Sequence, residues 1–366
     1  MNGWIYVIGF AAACVLAIIL TPIMKKLAFW VGAVSVPNHR SVHTKPMPLL
    51  GGLAIFFAFV GSYFVVMPAA DVTDKDHIGL GLILGGSTIA LVGALDDRLN
   101  LSPKLKLLGQ LIAAIVVVSF GLEIDVVNIP FGDSISIEQN WISYPLTIIW
   151  IIAITNAINL IDGLDGLSAG VSSIAAGTIL VMALMMANPN AMVILLCAIL
   201  IGSSLGFLIF NFHPAKIFMG DSGSLFLGFA LSILSIMGYK QATIVSFLVP
   251  ILVLGVPISD TLLAIVRRKL NKKPISVADK GHLHHCLMDL GFGMRKTVLI
   301  IYGIAIVFGA CAVLMTQDQS WVTIVITVIV LLLLEVGAEA IGIISKTRKP
   351  VLQFLTRLRD AIAANR

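Results

Sequence analysis

Charge is scarce in this chain. Asp, Glu, Lys and Arg together make up 12% of its 366 residues, about half of the roughly 25% carried by soluble domains. Apolar residues reach 58% and the mean hydropathy is +1.03, which excludes an ordinary soluble globule and leaves lipid as the solvent. Cysteine is scarce too. Of Cys14, Cys197, Cys286 and Cys311, three lie inside apolar runs and none shows a paired spacing, so no disulfide framework is implied. Met1 to Gly3, ahead of the first apolar run, holds no lysine or arginine, so a cleavable secretory leader is not expected and the first run should stay as an anchor. There is no internal repeat and no separate basic domain. The formal net charge of +5 sits in short loops between apolar runs, which is the pattern of membrane topology rather than of a nucleic-acid binder.

What is present is a series of apolar runs, most reaching the roughly 20 residues that cross a hydrocarbon core. The expected fold is an all-α polytopic membrane protein with about eleven transmembrane helices, near 4–24, 51–68, 78–95, 105–122, 144–161, 167–187, 191–210, 223–239, 243–266, 297–315 and 321–344. With the N-terminus outside, all of the 24 basic residues except Lys75 and Lys240 fall in inner loops or the C-terminal tail, the asymmetry that sets orientation. The C-terminus is then cytoplasmic. Residues 1–345 are expected to form a single transmembrane catalytic domain with its site on cytoplasmic loops, and 346–366 a basic tail, either amphipathic on the inner leaflet or solvated. The longest outer stretch, Glu123 to Ser143, alternates enough to form a small hairpin.

Residues able to do chemistry gather in five places where the runs meet the inner face. First is His39-Arg40-Ser41-Val42-His43-Thr44-Lys45-Pro46, ending at Gly51-Gly52, whose cations suit a phosphate or lipid headgroups. Second is Asp96-Asp97, followed by Arg98, Lys104 and Lys106. Adjacent carboxylates at an interface are costly without a cation, which could be Mg²⁺ with a diphosphate or Arg98 beside a helix cap. Third is Asn156, Asn159, Asp162 and Asp165, spaced by threes along a helix end that Gly163 and Gly166 should terminate. Fourth is Asn211 to Ser224, where Gly220-Asp221-Ser222-Gly223 should start a helix whose N–H groups face a phosphate or bound metal. Fifth is the loop with Arg267, Arg268, Lys269, Lys272, Lys273, Lys280, His282, His284, His285 and Cys286, able to bind a nucleotide diphosphate. Zinc is the rival there, with no second Cys/His pair at the usual spacing.

These motifs, in this order and each on an inner loop, resemble the polyprenyl-phosphate N-acetylhexosamine-1-phosphate transferases over nearly the whole chain. The loops look most like the branch that initiates wall teichoic acid or O-antigen-type lipopolysaccharide glycans with UDP-N-acetylglucosamine. The resemblance implies that Asp221, with Asp97, coordinates Mg²⁺ (Mn²⁺ as an alternative). It implies that Asp96 and Asp97 serve the phosphate acceptor. Asn159, Asp162, Asn211 and Phe218 would face the nucleotide, and His284 and His285 the diphosphate, with Lys45, Asn156, Asp165, Arg268 and His282 as further substrate contacts. It also suggests a homodimer. Leu283 and Cys286-Leu287 depart from the peptidoglycan branch, which has three successive histidines followed by an aromatic and an acidic residue, and argue against a muramyl-pentapeptide substrate.

The expected reaction is attack of undecaprenyl phosphate on the β-phosphorus of UDP-N-acetylglucosamine, giving a lipid diphosphate sugar and UMP. Asp97 is the expected base, so Asp97→Asn should leave a folded, nucleotide-competent, nearly inactive protein; a covalent phospho-sugar on an aspartate is the alternative. A different UDP-hexosamine, a secondary transporter and a scaffold for glycan assembly are the competing readings. Transporters bind near the midplane and often show inverted repeats, whereas these acids lie at inner ends. Asp260, Glu335 and Glu339 are the intramembrane exceptions, and Asp260 is close enough to Arg267 to be a site residue near the interface.

Overall fold

Apolar runs of this length can satisfy their backbone groups in lipid only as helices or closed barrels. The computed structural model describes residues 3–37, 45–69, 77–124, 126–128, 134–137, 139–238, 248–270, 272, 281–317 and 321–341, and these runs are helical. In order they are α1 (Trp4–Val31), α2 (Gly51–Val66), α3 (Ile78–Leu99), α4 (Pro103–Ser119), α5 (Asn140–Ile161), α6 (Leu167–Met185) and α7 (Ala191–Asn211), then α8 (Gly220–Met237), α9 (Leu248–Val253), α10 (Gly255–Leu270), α11 (Leu283–Asp289), α12 (Met294–Gln317) and α13 (Trp321–Ile341). Among the described residues seven helices, α1, α3, α5, α6, α7, α8 and α12, are long and apolar enough to cross a membrane, while α2 is apolar but shorter.

The run expected as one span over 243–266 is not continuous. It is α9 and α10, parted at Leu254, because Pro257 has no N–H to give the carbonyl of Val253. Two antiparallel hairpins complete the described fold. Strands β1 (Val34–Ser35) and β2 (Met47–Pro48) pair between α1 and α2. Strands β3 (Val126–Asn128) and β4 (Ser134–Ser136) pair within the stretch from Glu123 to Ser143 where a hairpin is expected.

Helix α8 is the axis of the bundle. Every residue from Ser222 to Met237 is buried, with α3 and α5 as its main neighbours and α2 and α6 beside them. With no hydrophobic gain between helices in lipid, close backbone approach at small residues holds such bundles together. A Cβ on Gly52 would collide with the backbone of Gly223, one on Gly93 with Ser222, and one on Gly228 with Thr155. In α7, Gly202 and Gly206 lie against the carbonyls of Phe10 and Cys14 in α1, a G-x-x-x-G contact. Inside the bundle the Trp150 indole N–H is shared between Ser235 Oγ (3.2 Å) and the Ser232 carbonyl (3.3 Å), so its burial leaves no unpaired donor.

Gly52→Ala should therefore wedge α2 away from α8. We expect a loss of about 1–3 kcal/mol, the usual cost of overpacking, read as a lower thermal midpoint in detergent. An unchanged midpoint would mean that the α2–α8 contact is looser than drawn.

Successive helices reverse direction, so the end of α1, the start of α2, the end of α3, the start of α4 and so on through α8 come to one face of the bundle. The second, third and fourth polar clusters found in the sequence lie at those junctions, and the described part of the fifth lies on α10 and at the start of α11. Two segments of the sequence reading, the loop around His39, Arg40 and His43 and the tail 346–366, lie outside the described residues, as do Lys273 and Lys280. In α13, Glu339 is buried, while the side chain of Glu335 is outside the described set.

Candidate active site

The site is built around the first turn of α8. Gly220 has φ +71°, and a Cβ there would strike Asp97 and the Leu49 carbonyl, so only glycine opens this helix. Asp97, from the last turn of α3, accepts from the amide of Asp221 through Oδ1 (2.7 Å) and from that of Ser222 through Oδ2 (3.1 Å). It thus fills the helix N-terminus from outside the helix, satisfying two of its orphan donors. Two of the N–H groups that the sequence suggested were available to a phosphate or metal are therefore occupied by Asp97, whose carboxylate is spent on them rather than left for the metal expected there.

Asp96 points the other way. Its Oδ1 accepts from the Leu101 amide (2.6 Å), and its Oδ2 takes the ammonium of Lys106 at 3.0 Å. The same ammonium contacts Asp221 Oδ2, so Lys106 bridges the two carboxylates. The cation relieving this acid pair is thus Lys106 and not the adjacent Arg98, which is exposed. Asp221 Oδ1 accepts from Asn159 Nδ2 (3.0 Å), which also donates to Ser224 Oγ (2.8 Å).

One turn deeper, Asn156 exchanges amide hydrogen bonds with Gln110 (2.6 and 3.2 Å) and donates to the Ile152 carbonyl (2.8 Å). Its polar atoms are spent inside the bundle, so it braces α4 against α5 rather than facing a nucleotide. Asn211 is similarly spent. It is buried, accepts from the Gly166 amide (3.0 Å) and donates to the Ile217 carbonyl (3.0 Å). Asp165 binds His213 Nδ1 (2.8 Å) and the Ala215 amide (3.0 Å) through Oδ2. These two residues lace the α5–α6 loop to the α7–α8 loop. Arg295 Nε donates to the His213 carbonyl (3.1 Å) and the Tyr302 hydroxyl to the Gly166 carbonyl (2.5 Å), which adds α12 to the same clamp. Phe218 is held through its backbone, donating to Pro48 O (2.9 Å) and accepting from Gly51 N (3.1 Å), so the segment leading from β2 is sewn to the start of α8. Lys45, just before β2, is exposed.

Asp162, on the loop after α5, differs from the other acids. Among the described residues no hydrogen-bond donor reaches its carboxylate, and burial together with the charges of Asp221, Asp97 and Asp165 holds its carboxyl well above the usual range. Facing it is the histidine segment. A Cβ on Gly163 would meet the His284 ring at Nε2, so this glycine lets the imidazole lie against the loop. His284 is buried and its ring contacts His285 at 4.2 Å between centroids. His282 is also buried, paired with Asp260. Arg268 is buried on α10, and its Nε has no hydrogen-bond partner among the described residues.

Burial, the neighbouring His285 and His282 lower the His284 pKa to about 4, against the opposing pull of Asp260. The unfolded chain, with histidine near 6.5, then binds the extra proton between pH 6.5 and 4. Stability from this group is complete above 6.5 and drains away as pH falls through that window, by about 3 kcal/mol at the limit. The thermal midpoint should fall more steeply from pH 6.5 to 4.5 in the wild type than in His284→Gln; parallel curves would contradict a buried neutral imidazole.

Can this donor set take Mg²⁺? Among the described residues no three His, Cys, Asp or Glu side chains converge as a ready-made ligand set. The site instead offers Asp162, short of a counter-charge, within electrostatic reach of Asp221. One or two carboxylates completed by water and phosphate oxygens is how Mg²⁺ is usually held, so the residues fit that ion together with a diphosphate.

Residues 79–239, from α3 past the end of α8, match the family model described as glycosyl transferase family 4. The chain is 45% identical over 353 residues, 96% of each chain, to a probable undecaprenyl-phosphate N-acetylglucosaminyl 1-phosphate transferase of Bacillus subtilis. It is 35% identical to a decaprenyl-phosphate N-acetylglucosaminephosphotransferase of Mycobacterium tuberculosis, covering 88% of this chain and 86% of that one. It is 30% identical to a phospho-N-acetylmuramoyl-pentapeptide-transferase of Halalkalibacterium halodurans, covering 87% and 97%.

Proposed function

This chain belongs to glycosyl transferase family 4, and from that premise we propose that it transfers N-acetylglucosamine 1-phosphate from UDP-N-acetylglucosamine to undecaprenyl phosphate. The products are undecaprenyl-diphospho-N-acetylglucosamine and UMP. The observation that carries this reading is similarity over most of the chain to relatives named for N-acetylglucosamine phosphate transfer with undecaprenyl or decaprenyl phosphate, on a chain whose acids and imidazoles meet at one end of an apolar bundle. We assign the product to the first lipid-linked step of a cell-envelope glycan such as wall teichoic acid.

An oxygen of the lipid phosphate attacks the β-phosphorus, the diphosphate bond breaks, and UMP leaves with the bridging oxygen. One phosphoanhydride replaces another, so the barrier lies in bringing two anions into line, and catalysis rests on positioning and charge. Lys106 supplies a fixed positive charge between Asp96 and Asp221, where it can orient an incoming phosphate. Asn159 fixes the carboxylate of Asp221, and His284 and His285 offer imidazoles to the diphosphate oxygens from the other side. A phosphate monoester has its second pKa near 6, so the acceptor is mostly dianionic at neutral pH and no side chain need deprotonate it. A bound Mg²⁺, held by Asp221 and Asp162 with substrate oxygens, would neutralise the diphosphate charge.

The topology proposed with this reading has eleven spans, α9 and α10 jointly making the ninth, with the N-terminus outside and the site on the cytoplasmic face of the plasma membrane. Its support is that Lys45, Arg98, Lys104, Lys106, Lys216, Arg267 and Arg268 all belong to the site end of the bundle. Purified protein should convert UDP-N-acetylglucosamine and undecaprenyl phosphate only when Mg²⁺ or Mn²⁺ is present, and should use other UDP-hexosamines less well. Turnover in excess chelator would remove the metal from the proposal, and preference for another hexosamine would replace the donor.

A further inference from the structure

Asp260 is an acid on α10 that the transfer reaction as described does not use. It is 4% exposed, and an ionised carboxylate buried in a membrane helix is expensive unless its partners repay the cost. Both of its oxygens are engaged. Oδ2 lies 2.8 Å from His282 Nδ1, and Oδ1 accepts from the Leu283 amide at 2.8 Å. Leu283 is the first residue of α11, whose first turn holds His284 and His285. Seven residues further along α10, the Arg267 guanidinium lies flat against Gly281, at a distance that leaves no room for a Cβ there. The segment 281–283 is therefore pinned at two points along one helix, two turns apart, directly before the imidazoles that approach Gly163.

We infer that Asp260 is a positioning residue for the transfer: it keeps the proton of His282 on Nδ1, anchors the start of α11, and so aims His284 and His285 at the loop carrying Asp162. The tautomer follows from the bond. A carboxylate only accepts, so the ring nitrogen facing it carries the hydrogen, and the partner of one imidazole nitrogen decides the state of the other. The ring of His282 stacks nearly parallel to that of His284, at 8° and 6.0 Å between centroids, so the first imidazole sets the stance of the second.

Asp260→Asn separates this role from simple packing. Asparagine has nearly the same shape, and its carbonyl oxygen can still accept from the Leu283 amide. Its NH₂ group must then face His282 Nδ1, which can answer only with a lone pair, so the proton moves to Nε2. The inference rests on the transferase reading for its kinetic arm alone.

In protein labelled with ¹⁵N on its seven histidines, His213 and His282, each with Nδ1 facing a carboxylate, are expected as Nδ1-protonated signals in the wild type; that of His282, identified by its loss in His282→Gln, should convert to the Nε2 tautomer in Asp260→Asn. An Nε2-protonated His282 in the wild type, or a tautomer unmoved by the substitution, overturns the inference. In the assay with undecaprenyl phosphate and UDP-N-acetylglucosamine, Asp260→Asn should lower kcat about 10²-fold, the low end for losing a preorganised hydrogen-bonding group. The KM for the nucleotide sugar and the melting temperature should hardly change. Wild-type kcat in a folded Asp260→Asn protein would equally overturn it. Should that variant fail to fold, His282→Gln with Asp260 intact decides the point: a similar fall in kcat supports the inference and full activity rejects it. If the wild type makes no lipid product, the proposed function falls, while the spectra still test Asp260.

Discussion

Asp97→Asn is expected to lose stability and activity together. The two Asp97 oxygens each accept from a different amide at the start of α8, and an asparagine must turn its NH₂ group toward one of them, setting donor against donor. Hydrogen bonds to charged groups are worth about 1.5–3 kcal/mol each, so we expect about 2 kcal/mol less stability. Turnover should fall by at least about 10²-fold, because Asp221 rides on the turn that Asp97 holds. The sequence alone suggests a different outcome, a base whose loss leaves a folded and nucleotide-competent protein. Thermal midpoint and turnover on the same preparation distinguish the two: an inactive variant with a wild-type midpoint restores Asp97 as the base.

Lys106→Met should be nearly as damaging, with a different signature. Methionine keeps much of the stem and removes the charge that bridges Asp96 and Asp221. Those carboxylates then face each other unshielded, and the incoming lipid phosphate meets a more negative surface. We expect kcat to fall about 10²- to 10³-fold, the cost of one preorganised donor in a phosphoryl or acyl transfer site, and the half-saturating Mg²⁺ concentration to drop because the site attracts cations more strongly. Titrating Mg²⁺ against turnover in both proteins checks it. An unchanged Mg²⁺ requirement with normal kcat would remove Lys106 from the site.

Lys106 also marks where the sequence stops being informative. The helices were legible because lipid leaves the backbone few alternatives, and the polar clusters because acids and amides at the ends of apolar runs are too costly to be incidental. In the sequence Lys106 is one of three cations following Asp96-Asp97, with nothing in composition to set it apart from Arg98 and Lys104. The signal that could have found it is that Lys106 and Gln110 stand four apart on α4 and so share a face, one holding Asp96 and Asp221, the other Asn156. Within the clusters, which residues face substrate and which brace the walls depends on partners far away in the chain. Asn156 and Asp165 read as site residues from their spacing and Asn211 from the resemblance, yet Gln110, His213 and the Gly166 amide occupy them. Asp162, from the same run, has no donor among the described residues. The break at Leu254 is masked by the apolar residues on either side of it, although Pro257 is its visible cause.

The most direct test of the account is the fate of the β-phosphorus. Purified protein, undecaprenyl phosphate and Mg²⁺ would be given UDP-N-acetylglucosamine carrying ³²P at the β position. The expected result is label in the lipid fraction with release of unlabelled UMP, one for one. Label released as UDP, with only the sugar reaching the lipid, would mean ordinary glycosyl transfer and would contradict the account.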